Sequence, residues 1–178
     1  MSNDTPQRAD ARRDGLYAEA ADAFGPALAR LARAVERDAE RARDLEQDIH
    51  LALWRSLDRF AGGCALATWT YRVAHNVAAD HAARGARTTP LVGLEAIADL
   101  PAPGNPEHAA GTAQALDRLH ALITRLTPAD RSVILLYLEG LDARQIGEIT
   151  GLTANHIGVK VHRIKATLAR QFTPGDPS

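Results

Sequence analysis

The sequence has few cysteines, few aromatic residues and no long apolar run, and each shortage excludes a class of protein. Its single cysteine, Cys64, rules out an internal disulfide and any zinc site built from several cysteines. Aromatic residues make up 4% of the chain while alanine and leucine are abundant, which favours helical bundles over a sheet. No stretch approaches the ~20 apolar residues of a membrane span. The polar N-terminus lacks the apolar core of a signal peptide, so we expect a soluble, cytoplasmic protein in a reducing environment.

The chain also lacks the common catalytic constellations. Its seven histidines are scattered, and none forms the paired metal motif of two histidines one helical turn apart with a glutamate. A glycine-rich phosphate loop and a serine elbow are missing as well. Asp80 and His81 are typical of a polar helix face, and Cys64 has no basic neighbour that would activate its thiol. The sequence therefore predicts a protein that is not an enzyme and that holds neither a metal nor a cofactor.

Positive charge is concentrated near the C-terminal end. The formal net charge is −1, which argues against a non-specific coat for nucleic acid. No acidic residue lies between Thr153 and Phe172, and four cations occur there: Lys160, Arg163, Lys165 and Arg170. This segment is the first candidate for contact with a polyanion.

The same region carries the pattern of a helix-turn-helix, from Leu141 to Leu168. Gly151 can take the left-handed conformation on which a helix ends, and Thr153 is a natural N-cap for the next helix. Apolar residues then recur at helical spacing, namely Ile157, Val161, Ile164 and Leu168. A helix that packs through one stripe and is cationic elsewhere fits the major groove, so DNA is the first candidate partner.

The rest of the chain divides into two helical segments and a tether. Residues 1–14 have no apolar period and are predicted to be disordered. Residues 86–111 contain four prolines and are predicted to form an extended linker. We therefore predict an all-α protein in which two small helical-bundle domains, residues 15–85 and 112–172, are joined by that linker and the second contains the helix-turn-helix. In the first domain, either Asp38 or Asp44 begins the second helix, and a third helix runs from about Ala67 to Arg84.

Three passages, in this order, resemble sigma factors of the extracytoplasmic-function family. They are Asp44-Leu45-Glu46-Gln47-Asp48-Ile49, the run from Trp69 to His81, and the run from Leu126 to Leu168. The resemblance implies a protein that binds bacterial RNA polymerase and directs it to promoters by recognising −10 and −35 elements. It also implies contacts with the beta-prime clamp helices and the beta flap of the polymerase core, and a possible anti-sigma protein.

The first passage resembles the helix that docks on the beta-prime clamp helices. Asp44, Gln47 and Asp48 share one helix face, while Leu45, Ile49 and Leu53 can face the core. An exposed acidic and amide face suits a basic or polar protein partner better than it suits DNA. The alternative is an ordinary solvated helix face.

The second passage resembles the helix that, with the loop before it, recognises and opens the −10 element. By this resemblance Gly62 and Gly63 belong to a base-capturing loop. Four polar residues at steps of four form a stripe that could face DNA: Arg72, Asn76, Asp80 and Arg84. We assign Trp69 to the core and leave Tyr71 open between a core or interface residue and a melting residue.

The third passage resembles the region that reads the −35 element. Six residues of its recognition helix are the best candidates to meet DNA, namely Ala154, Asn155, His156, Val159, Lys160 and Arg163. Asn155 and His156 could read base edges, whereas Lys160, Arg163 and Lys165 are expected to hold phosphates. The alternative function is a helix-turn-helix repressor or activator whose first domain senses a ligand or forms a dimer. A tether between two reading modules argues against it, because such regulators usually need a compact two-fold dimer.

Overall fold

In the computed structural model, residues 4–85 and 112–172 are described, with side chains over residues 7–85 and 118–171. The helices are α1 Asp4–Val35, α2 Ala39–Ser56, α3 Leu66–Gly85, α4 Thr112–Ile123, α5 Pro128–Leu138, α6 Ala143–Thr150 and α7 Ala154–Phe172, with a 3-10 turn at Leu57–Arg59. These two ranges contain no strand, which confirms the predicted all-α class. The predicted linker, residues 86–111, lies outside the described residues.

The first unit consists of α1, α2 and α3. Its core is formed by leucine and isoleucine side chains at helical spacing, and Leu28, Leu45, Ile49 and Leu53 are all 0% exposed. Asp38, not Asp44, begins α2. Its Oδ1 accepts hydrogen bonds from the backbone N–H groups of Glu40 and Arg41, at 3.0 and 2.9 Å, and so satisfies two of the donors that a helix start leaves unpaired.

The prediction of disorder for residues 1–14 is wrong from Asp4 onward, because α1 begins there. The guanidinium of Arg13 lies 3.7 Å from the centre of the Trp54 ring, and that of Arg12 donates to the carbonyl oxygen of Phe60 at 2.8 Å. Residues without an apolar period are thus held by polar and cation–π contacts to a distant part of the chain. Apolar periodicity cannot detect contacts of this kind.

The second unit consists of α4 to α7. Thr127 caps α5, since its Oγ1 accepts from the backbone N–H of Asp130 at 3.3 Å, and Pro128 occupies the first helical position. The core residues of this unit include Leu122, Leu126, Ile134, Ile164 and Leu168. The sequence pattern predicts that Val133, Leu136 and Tyr137 all point inward, but Tyr137 is 38% exposed, because Val133 and Leu136 already fill the inward positions of α5. Its ring lies 5.1 Å from the ammonium of Lys165 instead.

The two units pack against each other. One buried apolar cluster takes Ala27 and Tyr71 from the first unit and Val133, Leu136, Ile146 and Ile149 from the second. Helix α6 packs against α3, and α5 packs against α1 and α3. The buried guanidinium of Arg131 adds a polar tie, because it donates to the carbonyl of Val35 at the end of α1, at 3.2 Å, and to two carbonyls of its own unit.

An ion pair lies beside this apolar interface. Arg30 of α1 forms two parallel hydrogen bonds with the Glu139 carboxylate, at 2.9 and 2.8 Å. The bond to Glu139 raises the pKa of Arg30. A two-pronged pair of this geometry favours one relative orientation of the two units.

Candidate polymerase and promoter interfaces

The outer face of α2 is open to solvent. Asp44, Gln47 and Asp48 are all exposed, as the spacing predicts, and the opposite face is fully buried in the first core. Leu51, which sequence reasoning did not select, lies on the same outer face and is 45% exposed. Leu51 is apolar but does not follow the helical spacing of the buried residues Leu45, Ile49 and Leu53. That departure from the pattern is the sequence signal that could have identified it as an exposed apolar residue.

The loop between Phe60 and Leu66 is short and almost without side chains. Gly62 has φ 76°, a conformation that favours glycine, and a Cβ added at Gly62 or Gly63 would meet nothing within 4 Å. Glycine is therefore required at position 62 by backbone conformation and not by crowding. The loop is open on its outer side, which leaves room for a ligand.

Trp69 packs against Phe60, the residue that precedes this loop. Its Nε1 donates to the hydroxyl oxygen of Ser56 at 2.9 Å, and its ring centre lies 5.5 Å from that of Phe60. It packs against the first core, in agreement with the sequence-based assignment.

Helix α3 presents different residues along its two edges. On the outer edge Asn76, Asp80 and Arg84 are exposed and Arg72 is half-buried, so the predicted polar stripe does reach the surface. On the other edge Tyr71 is 7% exposed and contacts Phe24, with ring centres 5.5 Å apart. Burial and the nearby Glu139 carboxylate raise the pKa of Tyr71. Tyr71 is therefore an interface residue in this arrangement.

Two histidines of α3 are placed apart from the polar stripe. His81 does not pair with Asp80, since its Nε2 lies 3.1 Å from the Glu36 carboxylate. Burial alone would raise the pKa of Glu36, but hydrogen bonds from His81 and backbone N–H groups, with the charge of Arg41, lower it. His75 lines a cavity of about 20 Å³ between the units, and burial lowers its pKa.

The helix-turn-helix forms as the sequence predicts. Gly151 ends α6 with φ 77°, and the Thr153 hydroxyl accepts from the backbone N–H of His156 at 3.3 Å. Gly147, which sequence reasoning missed, is required by packing, because a Cβ there would lie 2.6 Å from the Leu152 carbonyl oxygen. A glycine inside a helix, one turn before the glycine that ends it, was the available signal.

Helix α7 buries one stripe and exposes the other. Ile157, Val161, Ile164 and Leu168 are buried, at 8% exposure or less. The exposed side carries most of the predicted DNA-contacting residues, namely Ala154, Asn155, His156, Val159 and Arg163. Gly158 lies on this side, and a Cβ there would meet nothing within 4 Å. The exposed side of α7 therefore carries small and polar residues at the start of the helix and cationic residues further along it.

The lysines of α7 have partners in α5. The Lys160 ammonium bonds to the Asp130 carboxylate and is only half-exposed. Lys165 is exposed and donates to the Tyr137 hydroxyl at 3.2 Å. Lys160 thus points toward its own unit, whereas Arg163 lies on the outer face.

Other kinds of site do not emerge from residues 4–85 and 112–172. No group of three or more potential metal ligands occurs among them. None of their helices combines the length and apolar character needed to cross a membrane.

Two regions of the chain match known families. Residues 20–88 match Sigma-70 region 2, and residues 116–168 match Sigma-70, region 4. Together these regions cover α2, α3, the glycine loop and the helix-turn-helix. The chain is a sigma factor of the extracytoplasmic-function type. Sigma factors direct bacterial RNA polymerase to promoters and are transcription regulators rather than enzymes.

Full-length relatives agree with this assignment. This sigma factor is 24% identical over 165 residues to the ECF RNA polymerase sigma factor SigW of Bacillus subtilis (strain 168), covering 88% of each chain. It is 25% identical over 149 residues to the RNA polymerase sigma-H factor of Pseudomonas aeruginosa PAO1, covering 77% of this chain and 76% of the relative. Its fold resembles that of CnrH, solved in complex with the cytosolic domain of CnrY, with a TM-score of 0.64, 19% identity and 93% of both chains covered.

Proposed function

We propose that this sigma factor divides promoter recognition between its units. The outer face of α2 docks on the beta-prime clamp helices of RNA polymerase, while the α3 stripe and the loop of residues 62–65 bind the melted −10 strand. The second unit places α7 in the major groove of the −35 element. The chain itself carries out no catalysis and needs no cofactor, because RNA synthesis belongs to the polymerase.

The exposed side of α7 is the observation that carries the proposal. Asn155 and His156 lie at the start of the helix, where a recognition helix meets base edges, and both are exposed. Arg163, two turns further along and also exposed, is suited to a phosphate. The opposite stripe is occupied by the core, so this side is the one that can enter a groove.

The α2 face supports polymerase docking. Two carboxylates and an amide, from Asp44, Asp48 and Gln47, share the outer face of α2 with the exposed Leu51. An apolar side chain within a polar rim is a typical arrangement of a protein–protein contact. A polyanionic duplex would instead be repelled by the carboxylates.

The −10 assignment rests on α3 and the open loop. Holding a base outside the stack costs a few kcal/mol and needs a pocket with stacking or hydrogen-bonding groups nearby. The loop offers open space at Gly62 and Gly63, and Arg72 and Asn76 supply hydrogen-bonding groups on the outer edge of α3.

The two units must separate before both elements can be read. About 25 base pairs lie between the positions that name the elements, which is roughly 85 Å of duplex. In the packed arrangement α6 lies against α3, and packed helices have axes only about 8–10 Å apart. Residues 86–111 have a contour length of roughly 90 Å, which is enough for the span. Polymerase would hold the separated units and give each a high effective concentration at its element.

Further partners are proposed on the resemblance. The beta flap is expected to meet the second unit, whose α5 exposes Leu138 at 53%. CnrH was solved in complex with the cytosolic domain of CnrY, which supports an anti-sigma protein as a partner of this chain as well. We place the protein in the cytoplasm, where the polymerase acts.

Transcription in vitro with core polymerase on genomic fragments tests the proposal. We expect specific initiation that depends on this chain, and binding to −35 duplex that weakens in Arg163→Ala with a salt slope reduced by about 1. Lys160→Ala should have a smaller effect, since the Lys160 side chain is only 24% exposed. Tight, specific duplex binding by a purified dimer without polymerase would indicate the alternative regulator instead.

A further inference from the structure

The first part of α1, residues 7–14, forms an arm that lies against the segment leading into the glycine loop. That segment, residues 54–60, is named the stem here. It comprises the end of α2, the 3-10 turn and Phe60. The arm and the stem are at least 40 residues apart in sequence, and neither belongs to the polar surfaces assigned above.

Three side chains of the arm contact three residues of the stem. Arg12 donates from Nη2 to the Phe60 carbonyl at 2.8 Å. Arg13 bonds to the Asp58 carboxylate at 3.3 Å, with its guanidinium over the Trp54 ring. The Trp54 Nε1 in turn donates to Asp14 at 2.9 Å. Although it is an arginine, Arg13 has a side chain only 14% exposed, so this contact is built into the fold.

The loop that follows the stem has few contacts of its own. Cys64 is half-buried and packs against the first core, and it is the exception. Ala61, Gly62, Gly63 and Ala65 are all exposed, and a Cβ at either glycine would meet no neighbour. Ordering such residues costs about 1–2 kcal/mol each, unless the ends of the loop hold them in place. One end is the start of α3 and the other is Phe60, whose ring is held by Trp69 and whose carbonyl is held by Arg12.

We propose that Arg12 and Arg13 are positioning residues for capture of the −10 strand, because they fix the stem from which the base-capturing loop departs. The proposal rests on the proposed function of that loop. It assigns the arm a role in strand opening that is separate from polymerase docking and from −35 binding.

Arg12→Met is the main test, because methionine keeps much of the apolar stem of arginine and removes every N–H donor. The full-length chain is combined with core polymerase and a promoter fragment that carries 2-aminopurine in the −10 element, and the rate of fluorescence increase reports base unstacking. Arg33→Met is the matched control, since Arg33 is an exposed arginine further along the same helix. We expect about 10-fold slower unstacking in Arg12→Met and none of this slowing in Arg33→Met. Polymerase association and −35 duplex binding should match the wild type in both.

A charge exchange separates positioning from general stability. Arg13→Asp and Asp58→Arg should each slow unstacking. The double exchange should recover part of the rate, because it restores the ion pair with position 58 but not the contact with Trp54. Thermal unfolding is followed for every variant. Unchanged unstacking in Arg12→Met, or slowing that follows the unfolding temperature and is not recovered by the exchange, would overturn the inference. If the wild type itself fails to unstack the −10 base with polymerase, the function proposed for the loop fails first, and the two results are distinguishable.

Discussion

Helices α2 and α3 share one core but differ in what covers their outer faces. The outer face of α2, with Asp44, Gln47 and Asp48, contacts no other described element and is fully open. Helix α3 is packed on two sides, because the first core takes one side and the second unit takes the edge of Tyr71 and His75. Only the stripe around Asn76 and Asp80 is left exposed.

This difference predicts an order of events. A surface that is already exposed and rigid can bind without a conformational cost, whereas a covered one becomes available only after its cover leaves. The docking that we propose for α2 would therefore be available to the free protein. In the same proposal, reading both promoter elements requires the units to separate, so separation would follow docking or accompany it.

The largest expected effect comes from reversing charge on the open face. Asp48→Arg should reduce association with core polymerase by about 100-fold or more, because an arginine would face a partner surface chosen for a carboxylate. Association is measured by titrating labelled core polymerase. Asp48 is exposed, so the far-ultraviolet circular dichroism spectrum should stay that of the wild type.

The matched control is Asp22→Arg, which makes the same charge change at an exposed site on α1. It should bind core polymerase as the wild type does. If Asp48→Arg binds core polymerase as tightly as the wild type, α2 is not the docking surface. The comparison between an open α2 and a covered α3 would then say nothing about docking.

The edge of α3 that carries Tyr71 and His75, here called the covered edge, lies against the second unit. Its exposure is tested through the ion pair that joins the two units. Arg30→Glu should raise the population of separated units by about 3- to 10-fold, because it replaces a two-pronged attraction with repulsion between two carboxylates. The expected change in the separated population is small, because the Arg30 side chain is 51% exposed and exposed pairs contribute only about 0–1 kcal/mol. Resonance energy transfer between a donor on α2 and an acceptor on α6 measures the separation.

The double exchange, Arg30→Glu with Glu139→Arg, restores an attraction in the reverse sense. It should return the transfer efficiency most of the way to that of the wild type. If either single variant leaves the efficiency unchanged, the apolar cluster alone holds the units together and the ion pair adds nothing measurable.

Sequence patterns predicted the parts of this molecule that repeat at helical spacing. The buried stripe of Leu45, Ile49 and Leu53 determined which face of α2 would be exposed, and the glycine at position 151 located the turn of the helix-turn-helix. In each case the physical cause lies within one or two helical turns, so it leaves a periodic or local trace in the sequence.

The contacts that join distant segments could not be predicted in this way. Arg30 and Glu139 are 109 residues apart, and Arg12 and Phe60 are 48 residues apart. Arg131 is buried against three backbone carbonyls, which have no sequence signature at all. For the same reason sequence patterns predict too late a start for α1 and an inward Tyr137, because both depend on partners that only the tertiary arrangement brings near.

The smallest expected effect is a pH dependence of the covered edge. His75 lies between the units with its Nδ1 buried and without a hydrogen-bond partner among the described residues, in a cavity that Arg30, Tyr71 and Glu139 also line. Burial lowers its pKa, so the packed form favours neutral imidazole, while separation returns the group to about 6.5. Neutral His75 therefore stabilises the packed form fully above about pH 6.5. This stabilisation is lost as the pH falls through the lowered pKa of His75 in the packed form. Between pH 7.5 and 5.5 we expect the separated population to rise about 2- to 3-fold, and His75→Gln should abolish that rise. A rise that persists in His75→Gln would assign the pH dependence to another group and leave the edge of α3 insensitive to protonation.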